Sequence, residues 1–186
     1  RAFMTFENAP GTSIRDAKSS VETVTMKALD PDRVVVRTEA AQVCYTIAGQ
    51  VIGNFKPPAI LGHSTVGIVD AIGARVKRVQ VGDRVLLANT PQCGVCYNCL
   101  RGRADRCINV ALNPTVIGTL ADGTEVVQQH DRGGFAELVI APESYAIPIF
   151  NSVAPLDLSM LGCSGACGLG TTVGVAPVEV GSDVVV

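Results

Sequence analysis

The sequence predicts a mainly β domain with some helix, arranged as a barrel or sandwich and interrupted by one metal-binding lobe. Short β-branched runs separated by turn residues recur between residues 33 and 150. Four cysteines crowd into residues 93–107, where the strand pattern is broken. After the last of the strand-like runs, the sequence becomes rich in glycine and other small residues.

Five segments carry the strand pattern, because they combine β-branched residues with turn punctuation at their ends. They are RVVVRTEA (33–40), GIVDAIG (67–73), VGDRVLLA (81–88), GGFAELVIAP (133–142) and SYAIPIF (144–150). Residues 110–132 are polar and irregular around ADGTE, and we predict a long loop there between two strands. His130 lies in that stretch and is interpreted as a solvated loop histidine.

The glycine-rich stretch at 156–178 predicts a closely packed helix that begins at Asp157. The segment VEVGSDVVV (178–186) then ends in a β-branched run, which is typical of a buried parallel strand. The chain starts at Arg1 rather than Met and stops inside this run. We therefore expect residues in front of it and a second domain after it.

Composition narrows the classes of function. Hydrophobic residues make up 47% and charged residues 17%, with a formal net charge of −2, so a packed core is expected. The tightest basic cluster is Arg101, Arg103 and Arg106, which predicts no nucleic-acid or membrane partner. We find no uninterrupted apolar run of about 18 residues and no secretion signal. The seven cysteines then favour metal ligands and free thiols in the cytoplasm.

The cysteine lobe, residues 91–108, is the strongest signal. Its ligands follow the pattern C-x2-C-x2-C-x7-C at Cys93, Cys96, Cys99 and Cys107. Four thiolates fill a tetrahedral zinc shell and leave no open position, so the pattern predicts a structural zinc. Two disulfides or an iron–sulfur cluster are the alternatives, and the reducing compartment and the all-thiolate shell favour zinc over them.

Three further residues of the types that bind zinc, Cys44, His63 and Cys163, lie far apart in the sequence. A catalytic zinc uses three protein ligands and an open fourth position. Spacing alone leaves this open, because a free cysteine and a lone histidine are more often ordinary buried residues.

The motifs that occur together here resemble those of the zinc-containing medium-chain alcohol dehydrogenases. They are VCYT at 43–46, GH-x3-G-x5-G at 62–73, VGDRV at 81–85, the cysteine lobe and LGC at 161–163. The resemblance implies a GroES-like distorted β-barrel catalytic domain over residues 1–178. It also implies that residues 179–186 enter the first strand of a Rossmann domain, whose G-x-G-x-x-G turn is absent from this sequence.

The resemblance also implies roles for single residues. Cys44, His63 and Cys163 match the catalytic zinc ligands, and Thr46 matches the hydroxyl that takes the proton of the substrate alcohol. Tyr45 and Cys167 match positions near the pyrophosphate and nicotinamide of NAD or NADP, although Cys167 is equally well explained as a small core thiol. The expected substrate is a small alcohol or carbonyl compound, and the expected assembly is a homodimer or homotetramer.

The sequence departs from the family pattern at three positions. Ser64 replaces the glutamate that usually follows the histidine, Ile47 replaces an aspartate that orients it, and Gly49 cannot extend a proton relay. Carboxylates restored at Ser64 and Ile47 are therefore expected to tighten zinc retention. The departures leave two alternatives: a reductase of C=C or C=N bonds with an altered metal site, or a zinc-stabilised interaction module without activity. Residues 1–186 by themselves are expected to be inactive.

Overall fold

The computed structural model describes residues 1–52, 58–89, 92–109, 115–128 and 132–185. Within these ranges the chain forms eleven strands. They are β1 Ala2–Thr5, β2 Ser19–Glu22, β3 Thr25–Met26, β4 Arg33–Gln42, β5 Ala59–Ile60, β6 His63–Ile72, β7 Arg84–Leu87, β8 Thr115–Thr119, β9 Glu125–Gln128, β10 Leu138–Pro142 and β11 Ala146–Pro148. The prediction of a mainly β domain is confirmed.

Two sheets make up the body of the domain. In the described residues the first has the order β2-β1-β5-β9-β8-β3 and the second the order β10-β4-β6-β7-β11. The strands pair antiparallel except for β5 and β9, which are parallel. The longest pair, β4 with β6, shifts register at three places. Such bulges bend and twist a sheet, which lets the second sheet curl around the core.

The three consecutive valines of β4, Val34–Val36, are all apolar because both faces of this strand are buried. Val34 and Val36 pack in one apolar cluster with Val69 of β6. Val35 points the other way and packs with Met4 of β1, on the first sheet. Each fully buried side chain of this kind contributes about 1.5–3 kcal/mol relative to an exposed one. A central strand held on both faces is a rigid base for residues at its end.

The described residues also contain four short α-helices. They are α1 Tyr45–Val51, α2 Tyr97–Leu100, α3 Pro155–Met160 and α4 Ala166–Leu169, with π-helical turns at Leu161–Gly165 and Gly170–Val175. The last four segments join into one long helix, Pro155–Val175. The predicted glycine-rich helix is thus present. It begins at Pro155 rather than Asp157, because the fixed φ of proline suits the first helical position.

The prediction of a long loop over residues 110–132 is wrong for residues 115–128. These residues form β8 and β9, which pair antiparallel as a hairpin. The ADGTE stretch that suggested irregular structure is the turn of the hairpin, and Gly123 there has a φ of +86°. His130 lies outside the described residues.

The final residues do not test the predicted Rossmann strand. Residues 177–185 are exposed and contain turns and irregular chain, without strand pairing. A parallel strand forms only beside a neighbouring strand, so the prediction for 179–186 stays a prediction.

One described helix, Pro155–Val175, is long and apolar enough to cross a membrane by length and composition. The expectation from sequence overlooked it, because no single apolar run in it is unbroken. A single such helix is weak support for a span, since a core helix meets the same criterion.

Candidate metal centres

The cysteine lobe brings its four predicted ligands together. The sulfur atoms of Cys93, Cys96, Cys99 and Cys107 all lie within 4.8 Å of one another. The Sγ atoms of Cys96 and Cys99 are 3.5 Å apart, and those of Cys93 and Cys99 are 4.0 Å apart. Zn–S bonds of about 2.3 Å in a tetrahedron separate two sulfurs by about 3.8 Å. All four are free cysteines, so the alternative of two disulfides is wrong here.

Backbone amides prepare this cluster for a cation. The amide of Cys96 donates to Cys93 Sγ at 3.3 Å, and the amide of Cys93 donates to Cys107 Sγ at 3.4 Å. Hydrogen bonds from the backbone of Cys99 and of Ile108 lower the pKa of Cys96 to about 6. Desolvation by burial raises the pKa of Cys99 to about 11.

Cys44, His63 and Cys163 are brought together from three separate elements. Cys44 immediately precedes α1, His63 is the first residue of β6, and Cys163 lies in the first π-helical turn of the long helix. One ligand atom from each lies within 4.8 Å of the other two. The two sulfurs are 3.9 Å apart, close to the tetrahedral spacing. Spacing in the sequence did not predict this proximity, whereas the family resemblance did.

The donor set fits a zinc ion. His63 is 9% exposed, and its Nε2 is buried without a hydrogen-bond partner among the described residues. A buried ring nitrogen without a partner is costly unless a donor or a metal meets it. Burial, and next the positive charge of Arg132, lower the pKa of His63, which favours the neutral imidazole that binds metals.

The two thiols of this triad differ electrostatically. Hydrogen bonds from the side chain and backbone of Thr46 lower the pKa of Cys44. Burial raises the pKa of Cys163 to about 11, with the neighbouring Cys44 adding to the rise. Binding of a dication would remove this asymmetry, because a metal-bound thiol is deprotonated. The group can therefore offer two thiolates and a neutral imidazole to a metal.

The other predicted site residues surround the triad. Thr46 Oγ1 donates to Cys44 Sγ at 3.3 Å, and the Thr46 side chain is exposed. Tyr45 is 92% exposed at the start of α1. Cys167 is exposed one turn after Cys163 on the long helix. All three side chains are exposed, and Tyr45 and Thr46 directly follow the candidate ligand Cys44 in the chain.

The three departures from the family pattern have different surroundings. Ile47 is 2% exposed and packs with Leu61 and Val127, so it belongs to the core. Gly49 is exposed on α1, with open space where a side chain would project. Ser64 is buried, with its hydroxyl donating to the carbonyl of Ser159. Neither Ile47 nor Ser64 therefore faces the solvent.

Two residues near the triad were missed by sequence reasoning. Gln42, at the end of β4, pairs across the sheet with His63 and donates through Nε2 to Ser164 Oγ at 2.5 Å. Arg132, whose charge acts on His63, donates to the carbonyl and side-chain oxygens of Asn89. Neither has a local motif. The only available signal was the polar character of Gln42 two residues before Cys44.

Comparison with known proteins shows which family this domain resembles. The sequence profile of the "Alcohol dehydrogenase GroES-like domain" matches residues 30–151. "Alcohol dehydrogenase 6" of Rattus norvegicus is 30% identical over 177 residues, which cover 89% of this chain and 46% of that protein. An "Alcohol dehydrogenase zinc-binding domain protein" from Burkholderia ambifaria is 30% identical with a TM-score of 0.78, covering 98% of this chain and 51% of that one.

A further solved structure supports the fold alone. Benzyl alcohol dehydrogenase from Acinetobacter calcoaceticus is 23% identical, with a TM-score of 0.72, and the match covers 96% of this chain and 49% of that one. The chain thus spans about half the length of these relatives.

The curled sheets and the two groups of metal-ligating side chains define a metal-binding β-domain of the medium-chain dehydrogenase/reductase type. Within that superfamily, the chain belongs to the alcohol dehydrogenase GroES-like domain family. The predicted GroES-like fold is thereby confirmed.

Proposed function

We propose that the protein is an NAD(P)-linked zinc alcohol dehydrogenase and that residues 1–178 form its catalytic domain. The observation that carries the proposal is the Cys44–His63–Cys163 group, with its ligand atoms within 4.8 Å and the Thr46 hydroxyl 3.3 Å from Cys44 Sγ. When bound, zinc supplies a Lewis acid for the substrate oxygen, and NAD or NADP supplies hydride exchange. The substrate is a small alcohol or its aldehyde or ketone.

The chain's own residues have distinct tasks in this proposal. Cys44 and Cys163 would hold the metal and balance its charge, and His63 would complete the set as a neutral ligand. Thr46, exposed beside Cys44, would accept the proton of the substrate alcohol at Oγ1 while its own hydroxyl proton, donated to Cys44 Sγ in this structure, turns away and leaves to solvent. Tyr45 and Cys167, both exposed, are assigned to contacts with the cofactor.

The four-cysteine cluster has a structural role in the same proposal. Four thiolates leave no position for a substrate, so a zinc ion bound there would stabilise the lobe around Cys93, Cys96, Cys99 and Cys107. The nicotinamide cofactor is bound mainly by a Rossmann domain, for which we propose residues 179–186 as the first strand. The proposal is supported by relatives that are about twice as long as this chain. NAD against NADP, and dimer against tetramer, remain open in it.

A reductase of C=C or C=N bonds is the second candidate, favoured by two observations near Thr46. Gly49 has no side chain to extend a proton relay beyond Thr46, and Ile47 is buried in the core. Such a reduction depends less on an efficient proton relay than alcohol oxidation does. The two candidates differ in metal content, because only the first requires an occupied triad.

The experiment is a zinc determination on the intact protein, followed by turnover with NAD⁺ or NADP⁺ and a panel of alcohols. Two zinc per chain and alcohol oxidation are expected. Thr46→Val should lower kcat about 10²- to 10⁴-fold with two zinc retained, because it removes the proton acceptor. Thr46→Ser keeps the hydroxyl and serves as the control that retains activity.

Other results would support the alternative functions. One zinc per chain with reduction of conjugated double bonds or imines would support the second candidate. If no alcohol or carbonyl compound is turned over, the result would support the remaining alternative, a zinc-stabilised interaction module without activity. Equal activity of Thr46→Val and the unaltered protein would remove Thr46 from the proton path.

A further inference from the structure

Ser64 has an unusual backbone conformation beside the ligand His63. Its φ is +61°, and it is the only residue other than glycine with a positive φ in the described part of the chain. This conformation costs a residue with a Cβ about 1–2 kcal/mol, so it persists only where surrounding contacts impose it. Ser64 is 1% exposed, and its Oγ donates to the carbonyl of Ser159 on the long helix.

Gly162 lies against Ser64 on that helix, immediately before Cys163. A Cβ at Gly162 would come within 2.9 Å of Ser64 Cβ and 3.0 Å of Ser64 Cα. The helix therefore approaches β6 as closely as a glycine allows. The contact joins the neighbour of one candidate ligand, His63, to the neighbour of another, Cys163.

A second contact reaches the other side of Cys163. Gln42 Nε2 donates to Ser164 Oγ at 2.5 Å. Gln42 pairs with His63 across β4 and β6 and precedes Cys44 by two residues. Residues 162 and 164, on either side of Cys163, are thus each held by a side chain from a strand that carries or adjoins a ligand.

The long helix is anchored through its first turns, where Leu158 packs with Val66 and Leu86, and not through the part beyond Cys163. Its buried residues are Leu158, Ser159 and Cys163, and residues 166–185 are all exposed. The helical hydrogen bonding also changes to the π type at Leu161–Gly165, the turn that contains Cys163. A π-type turn is a local irregularity, and its ligand needs support from outside the helix.

We propose that Ser64 and Gln42 are positioning residues that form a polar clasp holding Cys163 against His63 and Cys44. The clasp is defined by the contacts Ser64–Ser159, Ser64–Gly162 and Gln42–Ser164. It fixes the triad where the sequence has no carboxylate at position 47 or 64 to do so. The inference rests on the proposed zinc occupancy of the triad.

The test measures zinc retention in the intact protein, titrated with a chelator of known zinc affinity. Ser64→Gly removes the hydroxyl and tolerates φ +61° better than serine, so backbone strain cannot explain its effect. Gln42→Leu removes the amide at similar volume. In each variant the affinity of the triad for zinc should be about 10- to 100-fold lower than in the unaltered protein, while the four-cysteine cluster keeps its zinc.

A spectroscopic readout distinguishes positioning from general destabilisation. With cobalt substituted for zinc at the triad, the cysteine-to-metal charge-transfer bands should shift in Ser64→Gly and Gln42→Leu. Thr172→Ala is the matched control, because Thr172 Oγ1 also donates to a helix carbonyl, that of Gly168, on an exposed surface. It should leave the bands and both affinities unchanged.

Three outcomes overturn the proposal, and they separate it from the proposed function. If the unaltered protein holds two zinc and both variants hold them with equal affinity and unchanged cobalt bands, the clasp alone is refuted. If the variants lose both zinc ions together with their folded structure, the contacts serve general stability. If the unaltered protein holds one zinc, the proposed function fails and the clasp fails with it.

Discussion

Replacing Ile47 by aspartate restores the residue type that the family resemblance expects, yet the structure predicts a loss of stability. Ile47, in the first turn of α1, is 2% exposed and packs against Ala59, Leu61 and Val127. A carboxylate at this position would enter an apolar cluster. The expectation that added carboxylates tighten zinc retention therefore does not extend to this side chain.

The magnitude follows from two losses. Removing a buried isoleucine side chain and leaving part of its volume empty costs about 2–5 kcal/mol. Burying a polar group without a hydrogen bond costs about 1–3 kcal/mol more in proteins. Because the cluster can relax around the smaller side chain, we expect Ile47→Asp to lower the free energy of unfolding by about 3–5 kcal/mol.

Urea unfolding of Ile47→Asp, Ile47→Asn and Ile47→Val checks this reasoning. Ile47→Val should cost about 0.5–1.5 kcal/mol, and Ile47→Asn isolates the polar burial from the charge. Burial raises the pKa of an aspartate above its unfolded value of about 3.9, so the charge penalty grows as the pH rises above about 4. The excess cost of Asp over Asn should therefore shrink toward pH 4. Equal stability of Asp and Val variants, with tighter zinc, would place this side chain outside the core.

Two further predictions concern the metal lobe and the turn before His63. Metal analysis should show that Cys99→Ser lowers the zinc content by one ion per chain, because this change removes a ligand of the four-thiolate shell. The control Cys167→Ser should keep both ions. An unchanged zinc content in Cys99→Ser would contradict the assignment of this cluster. Gly62→Ala should be more destabilising than Gly82→Ala by about 1–3 kcal/mol. Both glycines have a positive φ, +103° and +94°, but only at Gly62 would a Cβ meet another residue, at 2.7 Å from Phe135 N. Equal thermal shifts would refute that steric argument.

Local patterns predicted the fold where the signal is itself local. The β-branched run at Arg33–Gln42 is a strand because both faces are buried, and the cysteine spacing predicted a cluster that forms within fifteen residues. The hairpin at 115–128 was missed, because its strands are short and its turn ADGTE dominated the composition. Short strands take their stability from their neighbours, which a single sequence does not display.

The candidate site was harder to predict because its parts meet only in three dimensions. Cys44 and Cys163 lie 119 positions apart, and no spacing rule joins them. The resemblance supplied the three ligands, but a family pattern describes what is usual. It identified Ser64 as a missing carboxylate and gave no indication that its hydroxyl reaches Ser159.

That contact changes what the serine at position 64 means. A glutamate there would need room that Gly162 occupies, since the helix already lies within van der Waals contact of Ser64. The close approach and the absent carboxylate are therefore two aspects of one local arrangement. A helix that is exposed from residue 166 onward depends on its first turns for its position. Because Cys163 lies at the end of that anchored part, the contacts made by Ser64 and Gln42 on either side of it determine how firmly the triad is held.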